Sequence, residues 1–157
     1  MAIYMQYDGI QGDTTDSGFE KWVTLESFQW GIGRGITTPI GSVANREASQ
    51  PSISEVMVTK QLDIASNKLF QAATTDQKGK TVKIAFTRTG SGGDKFLEYT
   101  FDNTLVSGYH ISSSGERPVE SLSLNFTKVQ IMVKMLDPTN NAANPDTTQY
   151  DLATAKS

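Results

Sequence analysis

Residues 119–136, with the sequence VESLSLNFTKVQIMVKML, decide the fold class of this chain. In the first half apolar and polar residues alternate, and the apolar ones are Leu122, Leu124 and Phe126. The alternation continues in the opposite phase through Val129, Ile131, Val133 and Met135. Because successive side chains of a strand point to opposite faces, the phase change predicts two strands joined by a bend near residues 127–128.

A second change of phase lies in residues 21–34, KWVTLESFQWGIGR. Val23 and Leu25 share one phase, whereas Phe28, Trp30 and Ile32 share the other. This pattern predicts a bulge or bend near residues 25–27. Long bent strands of this kind pass from one sheet to another in barrels and orthogonal sandwiches.

The rest of the chain is also dominated by strand patterns. Runs of β-branched and aromatic residues predict strands at 3–8, 54–62, 80–88, 95–101 and 104–112. One short helix is predicted at about 67–75, with Ser66 as its N-cap and an apolar stripe on one side. The sequence therefore predicts a mainly β protein with a single helix.

Two segments lack periodicity. Residues 37–53 form a predicted loop with two prolines, and a loop of this length in a compact domain is usually functional or mobile. Residues 137–157 are polar and rich in Asn, Thr, Asp and Ala, so we expect a disordered tail unless a partner holds it. The predicted organisation is one folded domain at 1–136 followed by this tail.

Composition excludes several functional classes. The 157 residues contain no cysteine and one histidine, His110, which excludes a disulfide framework, a Cys-ligated zinc site and a multi-His metal site. The net charge of −3 argues against a surface that binds nucleic acid. The sequence contains no run of 18 apolar residues, so it predicts no transmembrane helix. The glycine-rich segments and the triplet at 16–18 match no complete catalytic or nucleotide-binding motif. We therefore expect no enzyme activity, metal or cofactor, but a role in binding, assembly or structure.

Four stretches in a fixed order carry a resemblance to a known family. They are GIQGDTTD at 9–16, WVTLESFQWG at 22–31, KQLDIASNKLF at 60–70 and PVESLSLNFTKV at 118–129. In these stretches the chain resembles the haemolysin-coregulated proteins, the tube subunits of bacterial type VI secretion systems, over about residues 2–136. It departs from the family at Asn67, where relatives usually have a proline after the helix cap.

The resemblance implies a fold and a function. The fold would be a β-barrel of two sheets with one flanking helix. Six copies would close into a ring, and the rings would stack into a tube that is exported from the cell. Effector proteins would be carried in the lumen, with sheath and needle-tip components as further partners. The subunit would be cytoplasmic before firing and then secreted without a cleaved signal peptide, which agrees with the absence of a signal-like N-terminus.

The resemblance also implies roles for particular residues. Gln29 lies between two aromatic residues, at a position that faces the lumen in relatives, so it is the candidate effector contact. The 37–53 loop matches an extended loop thought to reach the adjacent ring. Its candidate stacking residues are Thr37, Pro39, Ile40, Val43, Arg46, Glu47, Pro51 and Ile53.

Two alternatives remain open at this stage. A tail-tube subunit of a phage or related contractile particle would share the architecture, so the fold alone cannot separate it from a secretion subunit. A monomeric β-barrel that binds a small apolar ligand would need a spacious apolar interior.

Overall fold

The computed structural model describes residues 1–38, 40–41, 47–88, 94–134 and 144–155. One helix, α1 (Ser66–Thr75), interrupts a succession of strands. The strands are β1 (Ala2–Tyr7), β2 (Val23–Leu25), β3 (Ser27–Gln29), β4 (Ile32–Gly33), β5 (Ile36–Thr37), β6 (Glu47–Ala48), β7 (Ser52–Ile53), β8 (Val56–Gln61), β9 (Lys80–Thr87), β10 (Lys95–Ser112), β11 (Val119–Asn125), β12 (Lys128–Val133) and β13 (Asp146–Asp151).

Two antiparallel sheets share the long strand β10 and enclose the core. Sheet one has the order β2-β1-β9-β10-β12-β13, and sheet two has the order β10-β11-β8-β3. The amino-terminal part of β10 pairs with β9 and β12, and its carboxyl-terminal part pairs with β11. The mainly β, two-sheet architecture with one flanking helix is confirmed.

Both predicted bends occur, and each is a corner between the sheets. At the first, β2 pairs with β1 in sheet one, and β3, which begins after Glu26, pairs with β8 in sheet two. At the second, β11 belongs to sheet two and β12 to sheet one. The core residues on either side of each corner therefore face the same interior, which is the physical reason for the changes of phase. Ile32, at the end of the first run, is exposed instead.

Strand β10 differs from its prediction. The sequence predicted separate strands at 95–101 and 104–112, whereas the structure has one strand of 18 residues. Irregularities in its pairing fall at Phe101–Thr104 with β9 and at Val106–Gly108 with β11. The bulges let one strand follow the curvature of both sheets without ending.

The core is formed by the inward faces of both sheets together with one side of the helix. Its fully buried members include Met5, Val58, Ile84 and Leu122, and Leu69 joins them from α1. Aromatic rings fill one part of this core. They are Phe28, Trp30, Phe86, Tyr99, Phe101 and Phe126. No helix in the described parts of the chain is long and apolar enough to cross a membrane.

The helix begins one residue earlier than predicted, and Ser66 is not its N-cap. Ala65 occupies the N-cap position and provides no side-chain hydrogen bond there. The Ser66 hydroxyl accepts a hydrogen bond from the Asp63 backbone N–H (3.0 Å) and lies 2.6 Å from Glu120 Oε1. Ser66 therefore joins the helix to the sheet below it.

The expectation of a disordered tail is wrong for part of residues 137–157. Asp146–Asp151 forms β13, which pairs in full register with β12, from Lys128↔Asp151 to Val133↔Asp146. Tyr150 packs against the core. The sequence pattern did not predict this strand, because β13 joins the sheet through backbone hydrogen bonds, and these do not require alternating apolar side chains.

Candidate functional site

The outward surface of sheet two is the candidate site, because it carries Gln29. We define this polar face by ten residues that project outward from β3, β8, β11 and β10, away from the core. They are Ser27, Gln29, Met57, Thr59, Gln61, Ser107, Gly108, His110, Ser121 and Ser123. None of these positions holds Lys, Arg, Asp or Glu, and apart from Met57 the face is built of small or polar groups.

Strand pairing arranges most of the polar face in two parallel rows. The first row runs Gln29–Met57–Ser123–Gly108, each residue directly opposite the next on the neighbouring strand. The second row runs Ser27–Thr59–Ser121–His110 in the same way. Within the second row the hydroxyls of Ser27 and Thr59 lie 2.6 Å apart. The rows give a regular surface whose polar groups are mainly hydroxyls.

Gln29 lies at one end of the first row and is exposed. It borders an open depression of about 700 Å³ whose lining also includes Trp30, Met57, Gly108 and His110. The structure therefore brings the predicted contact residue together with Met57, Gly108 and His110, which sequence reasoning had not assigned to a site. Their shared strand phase was a signal, but only the pairing register shows that they are neighbours.

Behind the polar face lies a group of polar residues that we call the buried ionic cluster. Its buried members are Lys60, Ser66 and Glu120, and Asp63 and Tyr109 are half-buried. The Lys60 ammonium lies 2.5 Å from Glu120 Oε1 and 2.9 Å from Asp63 Oδ1. Lys60 and Glu120 are fully buried. The Tyr109 hydroxyl donates a hydrogen bond to the other oxygen of Glu120. The cluster joins α1 to β8, β10 and β11.

The pKa values in this cluster follow from its contacts. Burial alone would raise the pKa of the Glu120 carboxyl, but hydrogen bonds from Lys60, Ser66 and Tyr109 and the charge of Lys60 hold it below its ordinary value. Burial and the bond to Glu120 raise the pKa of the Tyr109 hydroxyl to about 12. Glu120 is therefore ionised and Tyr109 neutral at pH 7, which makes the cluster a structural unit rather than a proton-transfer site.

Sequence reasoning missed the cluster, although the pattern contained its signal. Lys60 has the same phase as the buried residues Val56 and Val58 in β8. Glu120 likewise has the phase of Leu122 and Leu124 in β11. A charged residue in the inward phase of a strand must find a partner when it is buried.

The predicted stacking loop includes part of a projecting two-stranded arm, which we define as residues 31–37 and 47–54. Ile32 pairs with Ile53, and Ile36 pairs with Ala48. Of the predicted stacking residues, Thr37, Pro51 and Ile53 belong to the arm, the Glu47 backbone pairs with Thr37, and Ile40 lies beyond the pairs and is fully exposed. The remaining three, Pro39, Val43 and Arg46, lie outside the described residues.

The arm exposes apolar side chains. Ile32 and Ile36 are 61% and 49% exposed, and Ile40 adds a third exposed isoleucine. Hydrogen bonds between Gly31 and Ser54 and between Gly35 and Ser49 fix its two strands to each other. Exposed apolar groups on a projecting segment are typical of a contact surface for another protein.

The described residues contain no group of three His, Asp or Glu side chains placed to hold a metal ion. The described residues thus form a two-sheet β fold with a polar outer face and an arm that exposes apolar side chains.

The family model described as "Type VI secretion system effector, Hcp" matches residues 4–132, so the chain belongs to this family. Hcp proteins are structural, secreted components of type VI secretion, and membership implies homo-oligomeric ring assembly. It favours type VI secretion over the phage alternative.

Solved structures share the whole fold. One described as "Structure of a type six secretion system protein" is 26% identical, with a TM-score of 0.89 over 99% of this chain and 98% of that chain. Hcp1 from Salmonella typhimurium is 21% identical, with a TM-score of 0.78 over 99% and 97% of the two chains. A type VI effector from Yersinia pestis is 17% identical, with a TM-score of 0.75 over 95% and 98%. No curated protein sequence matches this chain.

Proposed function

We propose that the chain is the subunit of a type VI secretion inner tube, in which six copies form a ring, rings stack, and the polar face lines a lumen that carries effector proteins. The observation that carries this proposal is the Hcp family match over 4–132 together with a broad, uncharged face at the position of Gln29. A neutral face suits transient contact with many proteins, because strong ionic pairs would retain some cargo and repel others.

The arm supports ring stacking. A ring of identical subunits uses head-to-tail contacts within the ring, and stacking needs a second surface that projects along the tube axis. The exposed isoleucines of the arm provide apolar area for such a contact, and Ile40 adds to it from the segment 38–46 that links the two strands of the arm in the chain. Sheath and needle-tip proteins of the machine would contact the assembled tube.

Ring formation is tested by native mass spectrometry with negative-stain microscopy. We expect a species of six times the 17.1 kDa subunit mass and ring-shaped particles with six-fold symmetry. A monomer at high protein concentration with no rings would contradict the proposal and would favour the monomeric ligand-binding alternative.

Cargo contact at Gln29 is tested with Gln29→Arg. We expect intact rings that no longer co-purify with effector proteins of the same secretion system, because six added guanidinium groups would narrow and charge the lumen. Gln71→Arg, at an exposed position of α1, is the matched control and should retain co-purification. Unchanged capture of every effector by the Gln29→Arg ring would contradict the lumen assignment.

Stacking by the arm is tested with the double variant Ile36→Ser/Ile40→Ser. We expect single rings to form normally and tubes to shorten or disappear in electron micrographs. Ile64→Ser is the control, because Ile64 is 66% exposed but lies in the connection between β8 and α1. Tubes of normal length from the double variant would show that the arm does not mediate stacking.

A further inference from the structure

An apolar patch lies beside α1, on the face of β10 opposite to the polar face. Its centre is Phe70, which projects from α1 and is 53% exposed. The Phe70 ring makes an edge contact with the ring of Tyr109 in β10, with 5.7 Å between the two centroids. Ile111 follows two positions later in β10 and is 52% exposed. We call these three residues, Phe70, Tyr109 and Ile111, the apolar rim.

Strand pairing explains why these β10 side chains are apolar. Tyr109 lies opposite Leu122 and Ile111 lies opposite Glu120, and both of these β11 residues are fully buried. Side chains of directly paired residues share one face of a sheet, so Tyr109 and Ile111 lie on the inner face of sheet two. At the carboxyl end of β10 this inner face therefore reaches the surface beside α1, and the chain leaves apolar groups there partly uncovered.

The helix surface around Phe70 carries no charge. Residues three and four positions away are neighbours on a helix, and here they are Ser66, Asn67, Ala73 and Thr74. An apolar side chain that packs on Phe70 therefore displaces no charged neighbour of the same helix face. The rim is suited to an aliphatic partner rather than to an ionic one.

The arm presents a second apolar surface of the same chain. Ile32, Ile36 and Ile40 are exposed on it, and its strand pairs form two small sheets that are separate from sheets one and two. Because a strand rises about 3.3 Å per residue, the arm strand at residues 31–37 spans roughly 20 Å. The arm is therefore long enough to reach another copy of the chain.

Membership of the Hcp family implies homo-oligomeric assembly, and this argues for a second copy as the partner of the rim. A head-to-tail contact between identical subunits joins two different surfaces of one chain. The arm and the rim are two such surfaces, because each loses exposed apolar area when it covers the other.

We propose that the apolar rim receives the isoleucines of the arm from a copy in the adjacent ring. This inference rests on the proposed stacking function and names the surface that receives the arm. Each contact covers only a few side chains, but a ring presents six of them at once. Two rings therefore stay stacked although a single pair of subunits binds weakly.

The absence of cysteine from the chain allows a disulfide test without background. Ile36→Cys rings and Phe70→Cys rings are purified separately under reducing conditions, mixed, allowed to stack and oxidised. We expect a disulfide-linked dimer of twice the 17.1 kDa subunit mass on a non-reducing gel. Its yield should be at least about fivefold that of a matched mixture of Ile36→Cys and Gln149→Cys rings, because only nearby cysteines can be bridged. Gln149 is exposed on β13.

Tube length provides a second measurement. Phe70→Ser should shorten tubes in electron micrographs as much as Ile36→Ser/Ile40→Ser does, because both variants remove apolar area from the same contact. Phe70→Leu keeps an apolar side chain and should give tubes of normal length. Native mass spectrometry verifies that each variant forms the ring.

The outcomes separate this inference from the proposed stacking function. A dimer between the two kinds of ring, with short tubes from Phe70→Ser, supports the inference. A dimer yield no higher than that of the Gln149→Cys mixture overturns it. Normal tubes from Phe70→Ser also overturn it, and if Ile36→Ser/Ile40→Ser still shortens tubes, the arm stacks on another surface and the stacking function stands. Normal tubes from both variants overturn both.

Discussion

Removal of the Lys60 ammonium group from the buried ionic cluster should strongly destabilise this fold. The variant Lys60→Met keeps a long unbranched side chain but leaves two carboxylates without their cation. Glu120 would be fully buried without a countercharge, and Asp63, with a side chain only 6% exposed, would lose a partner at 2.9 Å. The Ser66 and Tyr109 hydrogen bonds to Glu120 would remain.

The expected loss is large relative to the stability of a domain. Breaking a buried ion pair by removing one partner costs about 3–5 kcal/mol, and a domain of this kind has about 5–15 kcal/mol in total. The double variant Lys60→Met/Glu120→Gln removes the buried charge as well. The loss of unfolding free energy in the double variant should therefore be about 1–3 kcal/mol smaller than the sum of the losses in the two single variants.

The assay is guanidinium unfolding followed by circular dichroism, at one fixed protein concentration because ring assembly adds to the apparent stability. The control is Lys68→Met, which removes an exposed lysine of α1 and should change stability by less than about 0.5 kcal/mol. The deficit of Lys60→Met should shrink in acid, because protonation neutralises the uncompensated Glu120. A loss below about 1 kcal/mol at pH 7, or additive single variants, would refute this account of the cluster.

Three further predictions concern the fold. Gly12→Ala should destabilise the fold by about 1–3 kcal/mol or more, because the added Cβ would collide with the Trp22 backbone carbonyl. Gly31→Ala, whose Cβ would have nothing within 4 Å, should melt at the temperature of the parent protein. Truncation after residue 144 should lower the melting temperature and increase light scattering, because loss of β13 exposes the edge of β12, and unchanged scattering would contradict this. The parent protein should lose stability as pH falls below about 4.5, because Glu120 has a lower pKa in the folded than in the unfolded chain, and protonation of its carboxylate removes that stabilisation. Denaturant titrations that give the same unfolding free energy throughout this acid range would contradict the prediction.

Much of the fold could be predicted from the sequence because strands have a strict period of two. The two changes of phase, between Leu25 and Phe28 and between Phe126 and Val129, located both corners at which the chain changes sheet. The helix was also predicted, to within one residue at its start. By contrast, β13 was missed because it carries little apolar pattern, and β10 was divided because its bulges interrupt the alternation.

Much less of the candidate site could be predicted. The resemblance identified Gln29 and the 37–53 loop, but not the residues beside Gln29, because Met57, Ser123 and Gly108 lie far apart in the chain. The two ends of the Lys60–Glu120 pair are 60 positions apart.

The sequence by itself therefore determined the strand class, the corners and the family, since these depend on local periodicity and on motifs in a fixed order. The tertiary structure alone decided which residues form the polar face, which apolar groups the arm exposes and how the buried charges are paired. The physical reason is that strand register is set by backbone pairing between segments distant in sequence. Only the register decides which residues of different strands lie side by side on a surface.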